Sequence, residues 1–226
     1  RMFREFKVQA NAGRPMVSYR ETVRSDGRGE SIFEREIGGR GQFAHVVLSA
    51  SPRDRGTGND VAFEVSTDAI PGEFRDAVKA GIEDALATGV LANSPLVDVS
   101  IRVIGGEAHP VDSTDMSFRS AAILATRECC GDAGVVLLEP IMAVEVITPE
   151  ESMGDVLGDL NSRRGRVREM EAREEAQIVR ADVPLAELFG YATGLRSLTK
   201  GRASYSMEPR EFDPVPESIQ AEIVNR

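Results

Sequence analysis

Apolar and polar residues along this chain follow two different periods. Alternating runs, typical of strands with one buried face, predict strands at residues 17–23, 32–37 and 43–50. Apolar residues at helical spacing predict helices over residues 74–88 and from Asp115 to about Gly131. Shorter runs predict further strands at residues 7–10, 61–65 and 97–104, with turns at residues 11–15 and 25–30.

The pattern resets after the glycine-containing stretch at residues 131–134. Beyond it the predicted order is βαββαβ, the ferredoxin-like arrangement, so we expect an α+β protein of two units. A capping box, with Thr148 as the N-cap and Glu151 three residues later, is predicted to open the first helix of this unit. The predicted strands are 141–147, 166–170, 176–183 and 203–208, the helices 149–161 and 185–198, a proline-bounded break 209–216 and a terminal helix 217–226.

Composition places the chain among folded globular proteins, since 41% of its 226 residues are hydrophobic and 28% are charged. No apolar run reaches the roughly 18 residues that a membrane span needs, and we expect neither a membrane segment nor a signal peptide. The adjacent Cys129 and Cys130 suit neither a disulfide framework nor a metal site, and are expected to be buried near a helix end. A cytoplasmic location fits these features.

The net charge of −10 argues against binding nucleic acid through bulk attraction but leaves room for a local basic face. Two arginine-rich turns follow the two helices of the second unit, and the pseudo-symmetry of that unit suggests that both turns lie at the same end. Arginine suits bidentate phosphate contacts, although a solvated face balanced by nearby glutamates is the alternative. The basic residues concerned are Arg163, Arg164, Arg166, Arg168, Arg196, Lys200 and Arg202.

Two loops of the first unit stand out for their composition. The glycine-rich corner at residues 38–42 carries Arg40 and Gln42, but no lysine–serine or lysine–threonine pair follows and the next element is a strand. We therefore interpret it as a sheet corner that could touch RNA backbone, not as a nucleotide-binding loop. His45, inside an apolar strand, is interpreted as a structural histidine with a satisfied partner.

The second loop, residues 105–113, presents His109 between a strand and a helix. A polar turn without function is the alternative interpretation of this loop. Asp112 and Ser113 lie too close in sequence to His109 to assemble a nucleophilic triad, so no catalytic residue is predicted. No metal ligands are predicted either. Asp112, Ser113 and Thr114 supply capping groups for the helix that follows.

The chain resembles elongation factor G along its whole length. The motifs that carry the resemblance are GGRGQFAHV at 38–46, IPGE at 70–73, AHPVDS at 108–113, LEPIM at 138–142, GDVLGDL at 154–160 and PLAELFGYATGLRSLTKGRA at 184–203. The last motif is long and specific. The resemblance identifies the chain as the C-terminal part of a translational GTPase.

The resemblance implies a domain organisation. Residues 1–7 would end domain III, and residues 8–136 would form domain IV, a ribosomal protein S5 domain 2-like domain. Residues 137–211 would form the ferredoxin-like domain V, followed by a C-terminal helix at residues 212–226 that packs back on domain IV. Because the sequence begins without methionine, we expect a piece of a longer protein.

The resemblance also implies a function, the GTP-dependent translocation of tRNA and mRNA on the ribosome. The implied partners of a monomer are the small-subunit decoding region, the tRNA–mRNA duplex and large-subunit rRNA. GTP and Mg²⁺ would belong to the absent GTPase part, so we expect no enzymatic activity and no cofactor in this chain. The implied tip loops that enter the decoding region comprise Gly38, Gly39, Arg40, Gly41, Gln42, His109, Pro110, Asp112 and Ser113, and domain V would bring the seven basic residues above towards rRNA.

Three departures from the family's pattern leave the exact role open. Pro110 stands where an acidic residue is common, Ala44 where glycine is common, and the tail is short and acidic. A main translocase, a paralogue in ribosome recycling and a tetracycline-resistance ribosome protection protein all remain possible. An acidic module that binds a protein partner is the alternative from a different class.

Overall fold

The computed structural model describes residues 17–226, which divide into two compact units. We call the unit formed by Arg20–Leu137 and Val215–Arg226 the tip unit, and the unit that contains Leu138–Pro214 the βαββαβ unit. Both contain helices and sheets, so the predicted α+β class is confirmed. The predicted strand at residues 7–10, the turn at 11–15 and the end of domain III at 1–7 lie outside the described residues.

The tip unit packs two helices on one face of a four-stranded sheet. The strand order is β2-β3-β5-β4, antiparallel except for the parallel pair β4 and β5. Leu48, Ile101 and Phe118 are among the fully buried side chains of the core between sheet and helices. The elements are β1 (Arg20–Val23), β2 (Gly27–Ile37), β3 (Arg40–Pro52), β4 (Asp60–Phe63), α1 (Arg75–Thr88), β5 (Val99–Glu107) and α2 (Asp115–Ala133).

The predicted turn at residues 25–30 is too long, because the bend between the strands covers only residues 24–26 and β2 already begins at Gly27. Gly27 and Gly29 lie directly against helix α2. A Cβ atom would come within 2.4 Å of the backbone nitrogen of Ala133 at the first position and of Cys129 at the second. These glycines therefore allow close packing of strand on helix instead of marking a turn. Cys129 and Cys130 are free and buried in this helix, as predicted.

A buried carboxylate, which the sequence analysis missed, fixes the connection between α1 and β5. Glu21 on β1 is fully buried, and its two oxygens accept four backbone N–H groups at 2.8–3.0 Å. The donors are Val90, Leu91, Ala92 and Ser94. Several N–H donors are what a desolvated carboxylate needs, so this loop is anchored from inside the unit.

The terminal helix α5 (Glu217–Val224) belongs to the tip unit. The backbone N–H of Val215 donates to the carbonyl of Leu137 at 2.9 Å. The N–H of Leu137 donates in turn to Gln220 Oε1 on the helix at 3.1 Å. The division between the units falls at residues 137/138 and 214/215, where the sequence predicted 136/137 and 211/212.

The βαββαβ unit has the predicted order of elements, with sheet order β7-β8-β6-β9 and antiparallel neighbours throughout. Helices α3 and α4 contribute Leu160, Tyr191 and Leu195 to its core. The elements are β6 (Val135–Pro149), α3 (Met153–Ser162), β7 (Arg166–Arg173), β8 (Ala176–Pro184), α4 (Tyr191–Thr199) and β9 (Ser204–Pro214). No helix in the described part of the chain combines the length and apolarity of a membrane span.

Two predicted helix boundaries in this unit are wrong. Thr148 does not cap a helix, since its hydroxyl donates to the carbonyl of Pro149 and a short 3-10 turn precedes α3. The predicted helix over residues 185–198 begins only at Tyr191, because Gly190 adopts a positive φ of 78°. A left-handed residue interrupts an α-helix, and glycine adopts that conformation at low cost.

The predicted break at residues 209–216 is also wrong, because strand β9 continues to Pro214. A register shift opposite Ile141 and Met142 leaves Arg210 bulged between the paired residues Pro209 and Glu211. β9 is an edge strand, and a proline without an N–H is tolerated at edges and bulges. Strand β9 therefore continues past Pro209 and ends at Pro214.

The two arginine-rich turns lie at opposite ends of the unit, so the expectation that they share one end is wrong. Arg166 opens β7 opposite Asp182, near the end of β8, where Pro184 pairs with Ile141 of β6. Ser204 opens β9 opposite Ile147, near the far end of β6. The pseudo-symmetry relates the two βαβ halves in opposite strand directions, which inverts the position of the second turn.

Candidate nucleic-acid interface

The glycine-rich corner and the His109 loop meet at one end of the tip unit. The N–H of Phe43 donates to the carbonyl of Asp112 at 3.0 Å. The hydroxyl of Ser113 donates to the carbonyl of Phe43 at 2.7 Å, and that of Thr114 donates to Gln42 Oε1, also at 2.7 Å. The two loops that the sequence analysis singled out separately are thus one surface, which we call the tip.

His109 is held by its own loop. Its Nδ1 accepts the backbone N–H groups of Val111 at 3.1 Å and Asp112 at 3.0 Å. These bonds require the neutral ring with its proton on Nε2, where it can donate outwards. The side chain is 48% exposed, and its ring lies edge-on to Phe43 with the centroids 6.3 Å apart. The loop therefore fixes the orientation of one exposed N–H donor.

The groups near His109 form a folded turn with no catalytic geometry. The hydroxyl of Ser113 accepts the backbone N–H of His109 at 2.8 Å while donating to Phe43. The carboxylate of Asp112 comes only within 3.7 Å of Nδ1, which the two amides already occupy. A nucleophile needs its hydroxyl on a basic nitrogen, and here the serine faces backbone.

Three glycines shape the corner and its contact with the second loop. Gly38 and Gly39 adopt positive φ angles of 60° and 78° in the turn between β2 and β3. Gly41 lies against the second loop, since a Cβ atom there would come within 2.5 Å of Asp112 Oδ2. The first two glycines shape the turn, and a side chain at the third position would displace the carboxylate of Asp112. Arg40, between them, is exposed.

Helix α2 begins beneath the tip with a full capping box. Thr114 accepts the N–H of Ser117, and Ser117 accepts the N–H of Thr114. Of the three predicted capping residues, Thr114 alone caps the helix, because Ser113 serves the loop. The sequence did contain a signal for this capping box, since Ser117 stands three residues after Thr114. Glutamate or glutamine is the usual residue at that position.

An apolar side chain at the tip was missed by the sequence analysis. Val111 is 81% exposed, immediately after Pro110 and between the two amides that His109 Nδ1 binds. A single exposed valine carries no sequence signal, since such residues are common on surfaces. Here its backbone is fixed, so the tip presents an apolar group next to the His109 donor.

The first arginine-rich turn, between α3 and β7, is engaged within its own unit. Arg164 makes two hydrogen bonds of 2.7 and 2.9 Å to Glu139, whose side chain is only 3% exposed. This carboxylate raises the pKa of the Arg164 guanidinium above its ordinary value. Arg163 binds Asp159 at 3.1 Å and the carbonyl of Glu187 at 2.6 Å. These two arginines hold the turn to the rest of the unit.

The remaining arginines of this turn differ in exposure. Arg168 bonds to Asp182, whose side chain is buried, through its Nε. Arg166 is 73% exposed on its side chain and makes one contact of 3.3 Å with Asp213. Isolated acidic residues in otherwise apolar strands, Glu139 and Asp182, were the sequence signal for buried partners. Of the four arginines, Arg166 is the most available to a ligand.

The second turn, after α4, is more open. Arg196 and Lys200 are exposed and have no ion-pair partner in the part of the chain that the structure describes. Lys200 ends α4 in the left-handed conformation, with φ of 55°, while Arg202 pairs with Glu151. Two unpaired cations next to a helix end form a small basic surface suited to phosphate.

His45 has the satisfied partner predicted for it, with Nε2 at 3.0 Å from Glu30 Oε2. Within the described residues no cluster of three or more histidine, cysteine or acidic side chains could hold a metal ion. Of the surfaces that the sequence analysis singled out, the tip, the Arg166 edge and the turn at Lys200 are thus the ones that present free polar groups.

Comparison with known families matches nearly the whole chain. Residues 15–134 match the model "Elongation factor G, domain IV", and residues 136–223 match "Elongation factor G C-terminus". The first of these contains the tip, and the second contains both arginine-rich turns.

Individual relatives agree with the family models. Elongation factor G of Chlamydia caviae is 49% identical over all 226 residues, and the chain spans 33% of that relative's length. A crystal structure from Thermus thermophilus superposes with a TM-score of 0.82 at 36% identity, covering 94% of this chain and 32% of that one. The chain thus spans about a third of the proteins it matches.

Proposed function

The chain belongs to the elongation factor G family, and we propose that it is the ribosome-engaging part of a factor that promotes GTP-dependent translocation of tRNA and mRNA. Two thirds of its curated relative lie outside the matched region. In the family, the GTPase segment belongs to that remainder. We therefore expect this chain by itself neither to bind nor to hydrolyse GTP, and to act mechanically.

The tip is proposed to enter the decoding region of the small subunit and occupy the space beside the tRNA–mRNA duplex. The observation that carries this proposal is the mutual locking of its two loops, which fixes the position of the His109 Nε2 donor. RNA duplexes expose 2′-hydroxyls and base edges in a wide, shallow minor groove. A rigid donor beside an apolar side chain can contact that groove without reading sequence.

Proton transfer has no part in this mechanism. The ring nitrogen that could act as a base, Nδ1, accepts two backbone amides of the same loop. Occupying the site vacated by a tRNA needs shape and position only, and GTP hydrolysis elsewhere supplies the direction. Pro110 restricts the backbone beside His109, which favours a single tip conformation.

The βαββαβ unit is proposed to face large-subunit rRNA through Arg166, Arg196 and Lys200. Arg166 is 73% exposed on its side chain, and Arg196 and Lys200 are exposed without an ion-pair partner within residues 17–226. Arg163, Arg164 and Arg168 are proposed to support the Arg166 end of this unit through the carboxylates they bind. The proposal includes a cytoplasmic monomer as the working form.

The test replaces the donor at the tip in the intact factor. His109→Ala should slow translocation about tenfold, equivalent to about 1.4 kcal/mol, and leave ribosome-dependent GTP turnover unchanged. Glu128→Ala, on the exposed surface of α2 away from the tip, is the matched control. Gln42→Ala should act in the same direction, with part of its effect from the lost Thr114 bond.

The outcomes separate the proposal from its alternatives. If translocation and GTP turnover fall together, or if neither changes, the tip does not act as proposed. If the intact factor splits post-termination ribosomes or releases tetracycline but does not translocate, the chain belongs to one of the specialised paralogues. Pre-steady-state tRNA movement and phosphate release are the two measurements.

A further inference from the structure

The open face of the sheet in the βαββαβ unit contains a groove to which the proposed function assigns no ligand. It has a volume of about 840 Å³ and crosses strands β7, β8, β6 and β9. Asp182 on β8 lines it, together with Arg168 and Arg210 from the two edge strands. The small side chain of Ala143, opposite Asp182, leaves the middle of the groove open.

Asp182 is buried yet incompletely bonded. The residue is 3% exposed, its Oδ2 accepts from Arg168 Nε, and Arg210 Nε lies 3.5 Å from the same oxygen. Its Oδ1 is buried and has no hydrogen-bond partner among residues 17–226. A buried carboxylate oxygen left without a donor is costly, so such an atom in a native structure calls for an explanation.

Both arginines reach Asp182 from β-bulges. Arg168 lies at the register shift between Val167 and Glu169, and Arg210 at the shift opposite Ile141 and Met142. A bulge redirects a side chain that would otherwise follow the alternation of the strand, and bulges are common beside functional sites. Two bulges on different strands thus direct two guanidinium groups to one carboxylate.

The arginines retain unused donors. Within the described residues, neither Arg168 nor Arg210 has a hydrogen-bond or ion-pair partner other than Asp182. Their side chains are 47% and 37% exposed, so they can move without disturbing the core. The groove therefore offers N–H donors next to an acceptor that lacks one.

The charge of the groove selects the kind of ligand. Arg180 is already shared by Glu145 and Glu169, and Glu208 adds a further carboxylate to the lining. Since the lining has one more carboxylate than it has arginines, a phosphate is disfavoured. A cation is disfavoured beside Asp182, where two guanidinium groups already lie. An uncharged group that both donates and accepts fits this arrangement.

We propose that this groove is a docking site for a polypeptide segment, which places one uncharged amide between Asp182 and Arg210. The amide N–H donates to Asp182 Oδ1 and its carbonyl accepts from the Arg210 guanidinium. Of the two arginines, Arg210 is the one that can turn towards the carbonyl, because its 3.5 Å contact with Asp182 Oδ2 is longer than the bond from Arg168. The proposal stands independently of the ribosomal role of the tip.

The test titrates the 226-residue chain with three small probes and follows the Nε–Hε signals of Arg168 and Arg210 by NMR. N-methylacetamide represents the peptide group, dimethyl phosphate an RNA backbone and methylammonium a lysine side chain. We expect saturable shifts with the amide alone, half-complete on the order of 10–100 mM because the fragment is so small.

Arg210→Gln should weaken the amide response about fivefold, the equivalent of one ordinary hydrogen bond. Arg210 is exposed, so this variant keeps the fold, and Arg173→Gln on the same sheet is the matched control. Asp182→Asn should abolish the response, with its thermal unfolding measured in parallel. The proposal is overturned if dimethyl phosphate or methylammonium gives the larger shift, if no probe binds, or if Arg210→Gln responds as the unsubstituted chain does.

Discussion

The tip and the turn between α3 and β7 are both short polar connections, and the sequence nominated both as contact surfaces. At the tip, His109 binds the backbone of its own loop, Ser113 binds the backbone of the other loop, and Thr114 binds the side chain of Gln42. The groups left over project outwards. At the turn, the long arginines fold back onto carboxylates of their own unit. Polar side chains therefore leave free groups on the surface at the tip, whereas at the turn they are consumed by partners within the unit.

The difference follows from the reach of the side chains. A serine hydroxyl or an imidazole reaches only groups of its own loop or of a loop packed directly against it, which fixes the backbone and defines a shape. An arginine extends far enough to find a buried carboxylate, and its planar fork gains two hydrogen bonds there. A cluster of arginines in sequence thus predicts ion pairs at least as readily as it predicts a free basic surface.

Among the variants that test this comparison, Arg164→Met is expected to have the largest effect on stability. Arg164→Met leaves the buried carboxylate of Glu139 without its partner, and should destabilise the βαββαβ unit by about 3 kcal/mol. Arg166→Met, two residues away but 73% exposed, should change stability by about 0.5 kcal/mol or less. Urea unfolding, followed by the near-ultraviolet signal of Tyr191 and Tyr205 in the core of this unit, measures both.

Equal losses in the two variants would contradict the division between structural and exposed arginines. A further check is the double variant Arg164→Met with Glu139→Leu. Replacing both members of a buried pair by apolar residues is often nearly neutral, so the double variant should recover most of the lost stability.

The part of the fold that could be predicted from the sequence differs between the two units. Periodicity gave the βαββαβ order, because each strand and helix there alternates or repeats over enough residues. It misplaced strand β2, since Gly27 and Gly29 are needed for packing against α2, a contact between segments far apart in sequence that no local pattern encodes. The prediction of a break at Pro209 failed for a similar reason, because the bulge at Arg210 is defined only by the pairing of β9 with β6.

The same distinction between local sequence signals and tertiary contacts applies to the residues of the site. The loops at residues 38–42 and 105–113 were identifiable by composition and resemblance, and the structure brings them together. The partners of the arginines were not, because Glu139 and Asp182 become relevant only when the sheet is assembled. Local signals thus located the tip, and tertiary pairing decided which of the basic residues stay free.

An intermediate effect is expected at Ser113, whose hydroxyl bonds to both loops of the tip. Ser113→Ala removes the bonds to the N–H of His109 and the carbonyl of Phe43, and should cost about 1–2 kcal/mol. Hydrogen exchange at the His109 amide should accelerate accordingly. Val111→Ala in the same loop, 81% exposed, should stay within about 0.5 kcal/mol. If the two variants are equally stable, the loops are not locked by this serine.

The smallest effect on stability, and the one that tests the open surface directly, is expected after α4. Arg196→Gln with Lys200→Asn removes both unpaired cations, and asparagine tolerates the left-handed conformation that Lys200 adopts. Unfolding should change by about 0.5 kcal/mol or less, since no ion pair is lost. Binding of the chain to large-subunit rRNA should weaken, and the slope of log K against log salt should become less steep by roughly 0.7–0.9 for each phosphate contact removed. Arg127→Gln, an exposed arginine on α2, is the control that changes charge without touching this surface. If the salt slope is unchanged in the double variant but less steep for Arg166→Met, the rRNA contact lies at the Arg166 end of the sheet and not at Lys200.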